Sequence, residues 1–358
     1  MSQPAQAFIN AIGTAVPDND IHQAFIGWAR ARLAAPRDRA LFDRMAARSG
    51  IAHRWSVLPR GEDGGSPVER GGFYADGQPG TGARMALYAE AAPALALEAT
   101  AALAGQLPLG GITHLVVASC TGFVAPGIDQ AIASRLGLSP ALERLLIGFM
   151  GCYAAVTALR TAHHIVRSQP EARVLVVCVE LSSLHLQDSD AVEPLLAMLQ
   201  FGDGAAAALV TAEPRGFAID APFAATLPDS AGLIGWDITD HGFAMHLSGE
   251  VPARLAAGLA DPALAAAALG GRAPGTIDGW AVHAGGRSIL DAVEHAFALD
   301  GEALAVSRAV LRDCGNMSSA TLMMALARLL DARPVDAGVA LAFGPGLAAE
   351  GFGFRSAP

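Results

Sequence analysis

Short, almost uninterruptedly apolar runs alternate along this chain with longer stretches in which apolar residues return at helical spacing. HLVVASC and RVLVVCVE predict strands at His114–Cys120 and Arg173–Glu180, and a further strand is predicted at Ala206–Thr211. Helical spacing predicts helices around Asp38–Arg48, over about 84–105, at Gly127–Leu136 and from just after Cys152 to Arg167. Strands apolar on both faces belong in a buried sheet, so the alternation predicts an α/β protein with helices on both faces of that sheet. Residues 60–83, dense in Gly, Pro and charge, read as an exposed excursion rather than a domain linker.

The second half of the chain repeats the first at matching intervals. HLVVASC ends at Cys120, GFMGC at Cys152 and VLVVCVE at Glu180; DGWAVH ends at His283, DCGN at Asn316 and GVALAFG at Gly344. Cys120 to Cys152 is 32 residues and His283 to Asn316 is 33, while Cys152 to Glu180 and Asn316 to Gly344 are both 28. Two similar halves packed about a pseudo-two-fold axis would place Cys152 and Asn316 at equivalent helix starts that converge on one spot, with His283 at a strand end within reach. Coincidence among generic βα units is the plainer explanation of the same intervals.

Composition narrows the functions. With 358 residues, 52% hydrophobic and 16% charged, the chain has ample material for a large core and is neither disordered nor a small disulfide scaffold. A net charge of -10, from 34 acidic and 24 basic residues, argues against broad nucleic-acid binding, so an anionic ligand must be met by a local basic patch. No apolar run reaches the roughly 20 residues that span a bilayer, which argues against membrane insertion. MSQPAQAFINAIG lacks the marks of an export signal, and the cytoplasm is the expected location. The four cysteines, Cys120, Cys152, Cys178 and Cys314, have neither CxxC spacing nor paired histidines; reduced thiols fit better than disulfides or a zinc site.

Three residues could carry chemistry. Cys152 stands at the start of a well-patterned helix, where the helix end favours a thiolate; a buried core cysteine is the alternative. His283 follows an apolar strand and precedes two glycines, and is either a cavity-facing or a structural histidine. Asn316 alone would be an ordinary helix N-cap. Their placement at matched points of the repeat raises all three together, as a nucleophile with two hydrogen-bond donors.

GFMGCYAAVTALR, WAVHAGGRSILD, CGNMSSATLMMA and AFGPGLAAEGF resemble the four main motif regions of type III polyketide synthases, the chalcone-synthase-like enzymes, and the resemblance runs from about Phe42 to Phe354. The ketoacyl synthases that start fatty-acid chains share the Cys-His-Asn set, but AFGPG favours the polyketide branch. The resemblance implies a thiolase-like five-layered αβαβα fold with two pseudo-symmetric halves, 1–214 carrying the nucleophilic Cys and 215–358 the His and Asn, and a homodimer. It implies an acyl-CoA starter and malonyl-CoA as substrates, repeated decarboxylative condensation on a Cys152 thioester giving a pyrone or phenolic product, and no metal or organic cofactor. The alternatives are a ketoacyl synthase acting on carrier-protein substrates and a noncatalytic thiolase-fold binding protein.

Carried over residue by residue, Cys152 is the acyl acceptor, with His283 and Asn316 as its partners. Phe201 matches a gatekeeping aromatic, and Met245 stands where plant enzymes carry a second one. Arg44 and Arg48, four apart on one helical face, resemble the patch for CoA phosphates, although Leu41 replaces a lysine of the plant pattern; a solvated helix face is the other reading. Cys120, Thr121, Ser182 and His185 are implied to lie near the growing chain, as is the loop Gly344, Pro345 and Gly346. Ala125 falls where plant enzymes place a methionine that crosses the dimer interface. This small residue, with the bacterial look of its neighbours, predicts medium or long aliphatic starters.

Overall fold

The structure is a computed structural model and describes residues 5–62 and 65–358. Residues 1–4, part of the stretch read for an export signal, and 63–64, within the predicted excursion, lie outside the described residues. In chain order the first half contains β1 (Phe8–Ala15), β2 (Asn19–Asp20), α1 (His22–Arg32), α2 (Pro36–Ala47), β3 (Trp55–Ser56), α3 (Thr81–Ala104), β4 (His114–Ser119) and α4 (Ile128–Arg135). It continues with β5 (Glu143–Gly148), α5 (Ala154–Ser168), β6 (Val174–Leu181), α6 (Val192–Met198) and β7 (Asp203–Thr211). The second half runs β8 (Phe217–Thr226), β9 (Ile234–Thr239), β10 (Gly242–Leu247), α7 (Val251–Leu259), α8 (Pro262–Ala268), β11 (Gly279–Val282), α9 (Arg287–Phe297), α10 (Ala305–Cys314), α11 (Ser319–Ala332), β12 (Gly338–Gly344) and β13 (Ala348–Ser356).

Every predicted element is present, the largest end shifts being Arg84 to Thr81 and Ala206 to Asp203. Nine strands form one sheet in the order β11-β12-β13-β8-β1-β7-β6-β4-β5, while β9 pairs with β10 and β2 with β3 in two small sheets. In the first half β4 and β6 are parallel and β7 and β1 follow antiparallel; in the second β11 and β12 are parallel and β13 and β8 follow antiparallel. The halves join where β1 meets β8, at Phe8 opposite Ala218 and Ile9 opposite Phe217. The sequence repeat is therefore a repeat of strand order, with β5 an additional edge strand on the first half.

Helices α5 and α11 touch each other and strands of both halves, so they form a central layer between two parts of the folded sheet. Their near-complete burial follows from sequence: AAVTALRTAHHIV and SATLMMALARLL put small and apolar residues on most sides. A second core, centred on Tyr88, Leu95, Leu115 and Val177, lies between α3 and the outer face of the first half; a third, centred on Leu255, Trp280, Leu290 and Leu341, lies outside the second half. The order helices, sheet, α5 and α11, sheet, helices is the five-layered arrangement expected.

Two sequence expectations are corrected. The excursion is neither as long nor as exposed as its composition suggests: α3 already begins at Thr81, and Tyr74 is buried with its hydroxyl donating to Ser183 O at 2.9 Å. One buried aromatic with a hydrogen-bond partner is enough to fold a Gly-rich loop back onto the body. Asn316 is not the N-cap of α11, which starts three residues later, at Ser319, and is preceded by Ser318 with positive φ. No helix of the described residues is long and apolar enough to cross a membrane.

Candidate active site

Cys152 sits two residues before α5, after Gly151, whose φ of 78° an L-side chain resists. A Cβ there would stand 2.4 Å from Pro345, and a Cβ on Gly344 would stand 3.2 Å from the Cys152 nitrogen. The bare backbones of GC and GPG therefore pack face to face, and the chain end of β12 holds the start of α5 in place.

Asn316 arrives from the other half. Its backbone N–H donates to Gln200 O at 2.8 Å and its carbonyl accepts from Gly202 N at 3.0 Å, a bridge that pairs it with Phe201. Its Oδ1 accepts from Ser318 N at 2.8 Å, which fixes the amide so that Nδ2 is the donor; that group reaches Gly285 O at 3.2 Å, in the turn after His283. Ser318 and Asn316 are the side chains whose polar groups act to lower the pKa of the Cys152 thiol. His283 follows β11 directly and its ring is buried, with neither nitrogen partnered. A buried imidazole with both nitrogens uncommitted can take a proton from a thiol or present one to a ligand oxygen.

The electrostatics correct one expectation. Burial, the largest influence, pushes the Cys152 thiol up to about 11, with the Glu180 carboxyl adding to the rise and hydrogen bonds from Ser318 and Asn316 opposing it. Burial alone pulls His283 down to about 3. The helix end does not yield a lone thiolate, because a dry site opposes each charge by itself. Burial therefore disfavours the thiolate of Cys152 and the imidazolium of His283 alike.

Beneath the thiol lies a polar cluster that only folding reveals. Glu180, fully buried in β6, accepts from Cys120 N at 2.9 Å, Thr121 Oγ1 at 3.0 Å and Ser319 Oγ at 2.5 Å, and burial raises its carboxyl to about 7. Cys120 Sγ lies 3.4 Å from Glu180 and 3.2 Å from Ser318 Oγ. Cys120 and Thr121 are thus beside the site, as expected, but engaged in its support. One sign was available in the sequence: a lone acid in the apolar run VLVVCVEL must be buried with partners.

An apolar cavity of about 90 Å³ opens beside this cluster. Ser182, His185, Phe201 and Met245 line it as expected, joined by Phe25, Trp28, Arg54, Trp236 and Phe243, which sequence reading did not single out. His185 differs from a free cavity wall. Its Nε2 bonds Thr121 O at 2.8 Å, its Nδ1 accepts from Phe243 N at 3.0 Å, and its ring stacks on Phe243 at 4.2 Å. Both nitrogens are committed and burial pulls the ring down to about 4, so it is a neutral strut between the 120–122 loop and β10.

Arg44 and Arg48 are exposed on α2 and at its end, and neither joins an ion pair among the described residues. Ala125 is exposed and does not line the cavity; Gly344, Pro345 and Gly346 back Cys152 rather than line it. Among the described residues no group of three or more His, Cys, Asp or Glu could hold a metal.

The five-layered fold sets Cys152 just before α5 in the first half, while the second half supplies His283 after β11 and Asn316, whose Nδ2 donates to Gly285 O in the turn after that histidine. The chain matches the models for chalcone and stilbene synthases, N-terminal domain, over residues 1–214 and C-terminal domain over 219–358. It is 35% identical over 284 residues to the alpha-pyrone synthesis polyketide synthase-like Pks18 of Mycobacterium tuberculosis (strain CDC 1551 / Oshkosh), covering 76% of this chain and 72% of that protein. Among solved structures it is similar to PKS-I from the brown alga Ectocarpus siliculosus, with TM-score 0.88, 28% identity and 99% of each chain covered. The C-terminal type III polyketide synthase domain of Steely1, a type I/III hybrid from Dictyostelium, matches with TM-score 0.88 and 25% identity over 99% of this chain and 100% of that one. This chain belongs to the chalcone and stilbene synthase family, the type III polyketide synthases, and is an acyltransferase of that family.

Proposed function

We propose that this enzyme loads an aliphatic acyl-CoA starter onto Cys152 and extends it with malonyl-CoA to a pyrone or phenolic polyketide. The observation that carries the starter class is an apolar cavity walled by Phe25, Leu58, Met198, Phe201, Trp236 and Phe243, which meets the Cys120–Thr121 loop through Trp236 and His185. Loading begins as His283 takes the Cys152 proton; the thiolate attacks the starter thioester, and the departing CoA sulfur receives that proton from the imidazolium. Malonyl-CoA then loses carbon dioxide, and the enolate oxygen accepts hydrogen bonds from His283 and Asn316 Nδ2. The enolate carbon attacks the Cys152 thioester, the carbon–sulfur bond breaks, and a β-ketoacyl-CoA two carbons longer is ready to reload. Protein groups suffice for every step.

The same reading assigns Arg44 and Arg48 to CoA phosphates, the halves 1–214 and 215–358 to nucleophile and donors, and the cytoplasm as the place of action. It assigns a homodimer, supported by Leu145 and Leu146 exposed on the edge strand β5 and by Phe123 exposed beside Ala125. The test is to incubate the pure protein with radiolabelled malonyl-CoA and a panel of acyl-CoA starters, without carrier protein, and to identify products by mass. Pyrones or phenols from medium or long aliphatic starters are expected. A strict need for carrier protein would instead point to a ketoacyl synthase, and preference for coumaroyl-type starters would remove the aliphatic assignment.

A further inference from the structure

Arg54 is among the largest side chains fully buried in the molecule, yet no carboxylate lies within ion-pair distance of it among the described residues. Its guanidinium is spent on neutral groups. Nε donates to His22 Nδ1 at 3.0 Å, Nη1 donates to Met198 O at 3.0 Å and to Phe201 O at 2.8 Å, the plane lies 4.6 Å over the Phe25 ring, and Nη2 is buried without a partner. A buried cation that the carboxylates of Asp20 and Asp203 act on without an ion pair is costly, so its retention asks for a role that a neutral side chain of the same shape could not fill.

That role follows from what rests on it. The segments Gln200–Gly202 and Cys314–Asn316 lie side by side, stitched by Asn316 N to Gln200 O at 2.8 Å and Gly202 N to Asn316 O at 3.0 Å. The stem of Arg54 runs under both. A Cβ on Gly315 would stand 2.9 Å from Arg54 Cγ, so glycine there lets the stem approach the backbone, while one on Gly202 would stand 2.8 Å from Cys314 O, so glycine there lets the two segments lie close. Arg54 thus grips the carbonyl of Phe201, which borders the cavity, and Phe201 is bridged to Asn316, whose Nδ2 donates to Gly285 O in the turn after His283.

We infer that Arg54 is a positioning residue that sets the Asn316 amide at the thiol by clamping the Phe201 carbonyl. The inference rests on the proposed role of Asn316 as a donor to the enolate oxygen. Arg54 touches no reacting atom. It acts because a charged donor holds a carbonyl more stiffly than a neutral one, and because its five donors fork so that one side chain ties α1 to the bridge.

The experiment compares Arg54→Met, Arg54→Lys, Asn316→Ala and the double variant Arg54→Met/Asn316→Ala. Arg54→Met is expected to lower kcat for malonyl-CoA decarboxylation at least tenfold, with KM for malonyl-CoA and the rate of Cys152 alkylation by iodoacetamide each within about threefold. Arg54→Lys should recover part of the loss. The double variant should be no worse than about threefold below Asn316→Ala, because both changes remove the same interaction. Losses that multiply, or a drop in alkylation and KM that parallels kcat, show a general packing role and overturn the inference. Should Arg54→Met fail to fold, His22→Leu removes only the Nε acceptor; a smaller kcat loss, again not multiplying with Asn316→Ala, is expected, and multiplication overturns the idea there too. An Asn316→Ala variant with wild-type decarboxylation would instead sink the donor role itself, whatever Arg54 does.

Discussion

Burial shifts Cys152 and His283 each toward the neutral form, and the proposed mechanism couples them. Cys152→Ala should abolish product while leaving some malonyl-CoA decarboxylation, whereas His283→Ala should depress both; product at the wild-type rate from Cys152→Ala would remove the nucleophile assignment. With the thiol pushed up to about 11 by burial, forming the thiolate calls for a base, the role proposed for His283. His283→Gln should therefore slow iodoacetamide alkylation of Cys152 at pH 7 at least tenfold, measured by peptide mass, with Cys178 as an internal control. His185 carries a separate expectation. Its folded pKa, about 4, lies below the unfolded 6.5, so the unfolded chain binds the extra proton between them. Its neutral form contributes stability that is complete above 6.5 and lost as pH falls toward 4, on the order of 3 kcal/mol over that window. Melting temperature followed from pH 7.5 to 4.5 should fall less steeply in His185→Gln than in the wild type; parallel slopes would mean that the ring is protonated in the folded protein.

At the scale of elements, the loop Gly344–Gly346 between β12 and β13 is where two glycines act by different physics. Gly344 is extended, with φ of -169°, so any residue can adopt its backbone; what it lacks is room, since a Cβ would meet Tyr153 Cδ1 at 2.8 Å and Cys152 N at 3.2 Å. Gly346 has open space around it but φ of 71°. Gly344→Ala should displace the start of α5, cutting turnover at least tenfold and stability by about 1–3 kcal/mol through overpacking. Gly346→Ala should cost about 1–2 kcal/mol of stability through its backbone with turnover nearly unchanged. Urea titration beside kcat separates the two, and equal losses of turnover would show that the loop moves as one rigid piece.

Over the whole molecule, charge and shape divide the labour of recognition. Arg44 and Arg48 stand exposed on a protein of net charge -10, an available pair of cations for CoA phosphates far from the reacting carbon. Replacing both with Gln should raise the malonyl-CoA KM with little change in kcat, more at low salt than at high, since remote contacts bind ground and transition states alike. An unchanged KM returns them to solvated positions on the helix. Chain length belongs to the cavity: Ser182→Trp should shorten the longest accepted starter without affecting malonyl-CoA decarboxylation, read as the product mass profile. Ala125→Trp should do the same only if a partner protomer brings residue 125 to the cavity, because within one protomer Ala125 lies outside it.

The repeat of the two halves was legible in the sequence because it is periodic. The 28-residue intervals from Cys152 to Glu180 and Asn316 to Gly344 reappear as equal distances along matching strand and helix units, β6 beginning 22 residues after Cys152 and β12 beginning 22 after Asn316. Local pattern records which segments must be buried, and so it located α5, α11 and the strands around them. It could not record which buried side chains meet. Trp236, Phe243 and Arg54 carry no spacing signal, yet they border one cavity because β9, β10 and the chain before β3 come together there. The state of the thiol was likewise a tertiary matter. A helix end alone favours the thiolate, but the layers that close over Cys152 remove the water on which that charge depends, and burial is a property of the folded whole.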